Sequence, residues 1–274
     1  MIKLIATDLD GTLLDDQKRI NPDFWKLHQD LVKQGITFIA ASGRQYYTIY
    51  EQFKHLGEDI IILAENGTFV RQGERELLVN DPPLQDARYF IEKARTIEGV
   101  DIILCGKESA YVESTQKVFR EDASLYYHRL QQVKDLISVE DTILKVTLWD
   151  HKGAENNSWH NFSKYEPDFK VALAGERFLD ITHKTASKGT SIGMLQKKLG
   201  ISPDETLIFG DYLNDLDMMG MGKYSYAMKN AHPKIIEIAK FVTQYDNNSN
   251  GVVRTIRDLF AQMGLPLASV SPGR

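Results

Sequence analysis

Ile2-Lys3-Leu4-Ile5-Ala6-Thr7-Asp8-Leu9-Asp10-Gly11-Thr12 is a short apolar run that ends on two carboxylates and a glycine. The run predicts a buried strand of a parallel sheet over residues 2–7, followed by a loop over 8–14. In an open α/β sheet, ligands bind beyond the carboxyl ends of the strands. Two carboxylates two residues apart both face that crevice if the backbone turns after Asp8. Gly11 permits the turn and lets backbone N–H groups approach an anion. A carboxylate can act as a nucleophile and form an aspartyl-phosphate, and a second one nearby can give and take a proton. The plain alternative is two solvated loop aspartates.

Outward from this stretch the chain alternates. Asn21-Pro22 predicts a helix start, with Asn21 as N-cap and Pro22 at the first helical position. Phe24, Leu27 and Leu31 follow at helical spacing, and Gly35 ends the helix. Residues 36–41 predict a second strand, 46–56 a helix and 60–64 a third strand. The pattern resumes with a helix over 187–199 stopped by Gly200, a strand over 206–209, a helix from about Asn214 and a strand over 225–228. Helices containing Pro233 and Arg254 close the series. Strand–helix alternation with short connections predicts a doubly wound, Rossmann-like parallel sheet.

The middle is different. Pro82-Pro83 marks a boundary. Beyond it come amphipathic stretches and β-rich runs over 100–104, 144–149 and 170–174. This predicts an α+β insertion over residues 83–183, flanked by the two halves of the parallel-sheet domain, 1–82 and 184–274. Residues 265–274, with two prolines and small residues, are expected to be loose.

Composition narrows the function classes. The 274 residues carry a formal net charge of -5, with 42% hydrophobic and 26% charged residues, as in an ordinary globular protein. No basic stretch is dense enough to track a nucleic-acid backbone. The apolar N-terminal run is too short for a membrane span. One cysteine, Cys105, excludes an internal disulfide and fits a reducing cytoplasm; it ends an apolar run and is expected to be buried.

Three further polar clusters sit at strand ends or helix starts. Ser42-Gly43-Arg44 offers a hydroxyl and N–H groups at a helix N-terminus, an anion site, although Ser-Gly is also common in plain turns. Lys188 opens a helix, where a cation opposes the macrodipole and makes more sense facing a phosphate and carboxylates. Gly210-Asp211-Tyr212-Leu213-Asn214-Asp215 supplies the carboxylate oxygens that a hard cation such as Mg²⁺ takes together with waters and phosphate; Asn214 or Asp211 as a simple helix cap is the alternative.

Taken together and in this order, these clusters resemble the haloacid dehalogenase (HAD) superfamily, in the subgroup often called Cof-type, over nearly the whole chain. Asp8 to Thr12 matches its Asp-x-Asp-Gly-Thr motif, Ser42 its Ser/Thr after a strand, Lys188 its lysine, and Gly210, Asp211, Asn214 and Asp215 its Gly-Asp-x-x-Asn-Asp motif. Glu65-Asn66-Gly67 matches a further element many members carry. The resemblance implies an Mg²⁺-dependent phosphatase with an inserted cap. Asp8 is then the nucleophile and Asp10 the acid and base. Ser42, the Gly43 N–H, Lys188 and Asn214 bind the phosphoryl group. Mg²⁺ lies between Asp8, the Asp10 backbone carbonyl and Asp211. Gly11, Thr12, Arg44 and Asp215 support them, Asp215 by orienting Lys188 or a metal-bound water.

One position departs from the subgroup. Tyr212 replaces a small residue, either narrowing the site mouth or turning away to pack. The implied substrate is a small phosphorylated metabolite, with a sugar phosphate the first expectation. The competing readings are a phosphomutase and a non-catalytic binding protein. Cap candidates for specificity are Tyr126, Tyr127, His128, Arg129, Arg177 and Asp180, with packing the expectation for most of them and for Tyr46 and Tyr47.

Overall fold

A computed structural model gives the fold, and it describes residues 1–265 and 267. The expectation of a loose tail over 265–274 therefore falls almost wholly outside the described residues.

The chain runs β1 (Leu4–Asp8), α1 (Asp23–Lys33), β2 (Thr37–Ala41), α2 (Tyr46–Phe53), β3 (Ile61–Ala64), β4 (Phe69–Gln72) and β5 (Arg75–Val79). It continues through α3 (Leu84–Arg95), β6 (Val100–Gly106), β7 (Ala110–Val112), α4 (Lys117–Tyr126), β8 (Leu130–Gln132), β9 (Ile143–Asp150), α5 (Ser158–Phe162), β10 (Phe169–Leu173) and β11 (Phe178–His183). It ends with α6 (Lys188–Leu199), β12 (Thr206–Gly210), α7 (Leu216–Met219), β13 (Tyr224–Ala227), α8 (Pro233–Ile238), β14 (Phe241–Val242) and α9 (Gly251–Gln262). Among the described residues, no helix is long and apolar enough to cross a membrane.

Two compact units emerge. The first comprises Met1–Gly43, His55–Leu77 and the chain from Ser187 onward. Its sheet has eight strands in the order β14-β13-β12-β1-β2-β3-β4-β5. From β14 to β3 every pairing is parallel, while β4 returns antiparallel to β3. β1 is buried at every position, which explains its nearly continuous apolar sequence. Register fixes the site: Thr7 pairs with Phe209 and Asp8 with Ala41, so Asp8, Ser42 and Asp211 all emerge at the carboxyl ends of adjacent strands.

The second unit comprises Arg44–Lys54 and Leu78–Ala186. Its six-stranded sheet runs β10-β11-β9-β6-β7-β8. Ile102, Leu104, Val146, Leu148, Leu179 and Ile181 cluster with Phe90, Ile91 and Ala94 of α3. Alternate residues Ile103, Cys105 and Trp149 instead pack with Phe119 and Ala123 of α4 and with Tyr127, the period-two division expected of a sheet covered on both faces. α2 joins this unit through its first turn. The Gln45 side chain exchanges hydrogen bonds with the Arg129 backbone, and Thr48 bonds the backbone of Tyr126 and His128.

Several elements differ from the sequence reading. α1 begins at Asp23 because the Asn21 side chain turns onto the Asp23 N–H at 3.0 Å, which leaves Pro22 in the cap position. The helix read over 46–56 stops at Phe53 and continues as a 3-10 turn to Asp59, kinked at Gly57. The helix read from Asn214 is a 3-10 turn followed by the four-residue α7. α6 starts as expected, with the Ser187 hydroxyl accepting from the Thr190 N–H, and ends at Gly200 in the left-handed region, φ 66°. Cys105 is buried.

Candidate active site

Asp8, Asp10, Asp211 and Asp215 all belong to the first unit. Lys188 is their centre. It opens α6 with its side chain fully buried, and its Nζ donates to Asp8 Oδ1 at 2.5 Å and to Asp215 Oδ1 at 2.7 Å. A buried ammonium at a helix N-terminus is unfavourable alone, and the two carboxylates supply the compensation. Burial pushes the Lys188 ammonium toward deprotonation, but Asp215 and Asp8 outweigh it and hold its pKa above the ordinary lysine value.

Asp215 has both oxygens engaged. Oδ1 accepts from Lys188, and Oδ2 accepts the backbone N–H groups of Asp211 (2.9 Å) and Tyr212 (3.2 Å). It thereby shapes the turn after β12 and holds Lys188 at once. Thr12 Oγ1 donates to Asp211 Oδ1 at 2.8 Å, tying the loop after β1 to the loop after β12. Asp8, Asp211 and Asp215 each bring one oxygen within 4.8 Å of the others.

Three carboxylates and one lysine leave this cluster with excess negative charge. Burial raises the Asp8 pKa well above the ordinary range against the pull of Lys188, with Asp215 and Asp211 adding to the rise. Burial likewise lifts Asp211 to about 6, with Thr12 opposing and Asp215 adding. Hard oxygen donors, close spacing and uncompensated charge are what a small divalent cation requires. The donor set therefore fits one, and Asp8 and Asp211 are the residues with oxygens to offer.

Gly11 is packed into this cluster. Its φ is +76°, and a Cβ there would lie 2.3 Å from Asp211 Oδ2. Gly11→Ala is expected to cost about 1–2 kcal/mol from the left-handed backbone alone and to displace Asp211 as well. Thermal unfolding and Mn²⁺ titration of the variant check this. Unchanged Mn²⁺ affinity would mean that Asp211 moves aside without consequence.

The remaining predicted residues are placed as follows. The Asp10 carboxylate is partly exposed and pairs with Lys18 at 2.7 Å. Ser42 is buried, and its N–H donates to Leu63 O. Gly43 lies against the Asn66 amide, only 3.0 Å from where a Cβ would sit. Asn214 Nδ2 donates to Asn66 Oδ1 at 3.1 Å. Arg44 belongs to the second unit. Tyr212 is 58% exposed, with its ring edge-on to His232.

Sequence reasoning gave no role to Lys18 or Asn66. Asn66 carried a signal within Glu65-Asn66-Gly67, where Glu65 and Asn66 both adopt positive φ, 51° and 53°. Such conformations in non-glycine residues mark a constrained turn. Lys18 gave none, since one surface lysine resembles any other.

Within the second unit, most specificity candidates pack. Tyr127 is buried, Arg129 stacks 3.4 Å over the Tyr47 ring, and Arg177 lies 5.2 Å from the Trp149 ring. Asp180 forms a buried pair with Lys145 at 3.0 Å and accepts from Thr147 at 2.6 Å. Tyr46 and Tyr47 are buried, and Tyr126 is exposed with its ring edge-on to Phe178.

A sequence profile of haloacid dehalogenase-like hydrolases matches residues 5–256. A 5-amino-6-(5-phospho-D-ribitylamino)uracil phosphatase of Escherichia coli is 33% identical over 258 residues, covering 93% of this chain and 95% of that protein. A crystal structure from Eubacterium rectale superposes with a TM-score of 0.86 at 26% identity, covering 94% of this chain and 99% of that one. A sugar phosphatase of HAD subclass IIB shares the fold, with a TM-score of 0.78 at 19% identity, covering 96% and 99%.

Proposed function

The chain belongs to the haloacid dehalogenase-like hydrolases, and from that premise we propose that it is an Mg²⁺-dependent phosphatase of small phosphomonoesters. The observation that carries this reading is the buried lysine clamped between Asp8 and Asp215 beside Asp211. A carboxylate at the end of a central strand, held by a buried ammonium in a cluster that fits a divalent cation, suits attack on a phosphate dianion.

In this reading Asp8 Oδ2, the oxygen not held by Lys188, attacks phosphorus in line. The P–O bond to the leaving alcohol breaks as the aspartyl-phosphate forms. Asp10 protonates the leaving oxygen, then takes a proton from the water that attacks the same phosphorus and restores Asp8. Lys188 offsets charge on Asp8 and on the transferring group throughout, while Asp215 holds it in place. Ser42 and the Gly43 N–H bind phosphoryl oxygens, and Asn214, steadied by its hydrogen bond to Asn66, reaches them from the turn after β12. Asp8, Asp211 and the Asp10 carbonyl would hold Mg²⁺, which would supply charge neutralisation, the main requirement of phosphoryl transfer. The insertion, residues 83–183 by sequence, is assigned the role of specificity cap.

The substrate class we favour is a phosphorylated sugar or sugar alcohol in the cytoplasm. The E. coli relative's name specifies a phosphoribityl group, and a subclass IIB neighbour is named a sugar phosphatase. Phosphate release from a panel of phosphomonoesters, with Mg²⁺ and with EDTA, tests the activity. Release is expected only with the metal. Asp211→Asn should lower it by at least ~100-fold, since even supporting residues of metal sites cost 10–100-fold. Release that EDTA leaves intact, or that Asp211→Asn retains, would sink the metal assignment. A sugar phosphate that is converted to its isomer only when a sugar bisphosphate is added would point to a phosphomutase instead.

A further inference from the structure

The loop that carries Asp10, Gly11 and Thr12 is braced from outside the motifs. Asn230 lies in the turn between β13 and α8, and its Nδ2 donates to Gly11 O at 2.8 Å. Its Oδ1 accepts the Asn247 N–H at 3.2 Å. Asn247, itself buried, donates through Nδ2 to Leu14 O and to Asp16 Oδ1, both at 3.0 Å. The same turn grips the other acidic loop through its backbone. The Met228 N–H donates to Gly210 O at 3.0 Å and the His232 N–H to Asp211 O at 2.8 Å. One short segment thus bonds the loop after β1 and the loop after β12.

We propose that Asn230, backed by Asn247, is a positioning residue that sets the Gly11–Thr12 peptide and through it the Thr12–Asp211 contact. Gly11 has little freedom to relax on its own, because Asp211 fills the space beside its Cα. Its carbonyl is a group that a side chain can steer, and Asn230 takes it. Without this bond the peptide rotates, the Thr12 hydroxyl leaves Asp211 Oδ1, and both Asp211 and the neighbouring Asp10 lose their register with Asp8. The inference rests on the phosphatase reading for its effect on turnover, but not for its effect on cation binding.

The test compares wild type, Asn230→Ala, Thr12→Val and the double variant, with p-nitrophenyl phosphate as substrate and Mn²⁺ as the cation probe. Asn230→Ala is expected to lower kcat about 10-fold, in the range seen for residues that orient a metal site, with KM moved less than about threefold. Mn²⁺ should bind it at least about threefold more weakly. Because Asn230 acts through Thr12, the double variant should lose no more than the worse single one. Where the wild type turns over, an Asn230→Ala kcat within twofold of it overturns the proposal, as do losses that multiply in the double variant. If the wild type releases no phosphate, the phosphatase reading has failed separately. The brace then stands on weaker Mn²⁺ binding by Asn230→Ala and falls on unchanged binding. Asn230 is exposed, so its replacement should leave the fold intact, whereas Asn247→Ala removes a buried group and serves only to confirm the direction.

Discussion

The Asp8→Asn variant is expected to lose turnover by on the order of 10⁴-fold or more, as removal of a nucleophile does, while unfolding at the wild-type temperature or above it. Asparagine keeps the shape and an oxygen for Lys188 but has no charge with which to attack phosphorus. The stability half of the prediction follows from the field around Asp8. Burial and its acidic neighbours raise its folded pKa well above the unfolded value, so ionising it opposes folding. For a carboxyl raised in this way, the favourable contribution is complete below the unfolded pKa of about 4 and disappears as pH rises through the folded value. At neutral pH without metal, the wild type therefore carries a penalty that Asn lacks, partly offset by the charged bond to Lys188. Unfolding in EDTA should show the variant gaining on wild type as pH rises from about 4. Turnover near the wild-type rate, in a preparation free of other phosphatases, would remove Asp8 as the nucleophile. A variant that fails to fold would show that the site needs the Asp8 charge for structure.

How much of this was legible in the sequence follows from where each constraint lies. β1 and the loop after it were readable because a strand buried on both faces must be apolar throughout, so Asp8 stands out as a break. α6 was readable at both ends, since Ser187 and Gly200 perform local backbone tasks that only a few residue types perform. β7 and β8, three residues each, and the two-residue exposed β14 are too short to show a period. β11 does alternate, with Leu179 and Ile181 in the α3-side core and Asp180 in an ion pair with Lys145 of β9. That pairing spans 35 residues, and no local pattern records it. The site divides in the same way. The motif residues were found because their order along the chain is distinctive. Asp215 was marked, yet its double duty, holding Lys188 with one oxygen and the 211–212 turn with the other, is a fact of geometry. Lys18, Asn230 and Asn247 reach the loop after β1 as ordinary surface or loop residues whose partners only the fold supplies.

Replacing Lys188 by methionine should have the largest effect on the fold itself. The side chain is fully buried, and the substitution keeps its length while leaving Asp8, Asp211 and Asp215 with no ammonium among them. Breaking a buried ion pair from one side costs about 3–5 kcal/mol, and here one cation serves two carboxylates. The Lys188 pKa lies above the ordinary lysine value, so its stabilising contribution is fully present at every pH below about 10. The pH dependence of the variant comes instead from the carboxylates. Without the lysine, which pulls both down, the folded pKa values of Asp8 and Asp211 rise further, and the loss of stability should be greatest at pH 8 and shrink toward pH 5 as these two take up protons. Mg²⁺ should recover part of the loss at pH 8 by supplying the missing charge. Lys188→Arg should not restore the wild type, because a planar guanidinium cannot take the place of a compact ammonium held 2.5 Å from one carboxylate and 2.7 Å from the other. Denaturant unfolding at the two pH values, with and without Mg²⁺, reads all of these effects. Equal stability of variant and wild type at pH 8 in EDTA would mean that the cluster sheds its charge by binding protons. Its affinity for a divalent cation would then have to come from geometry alone.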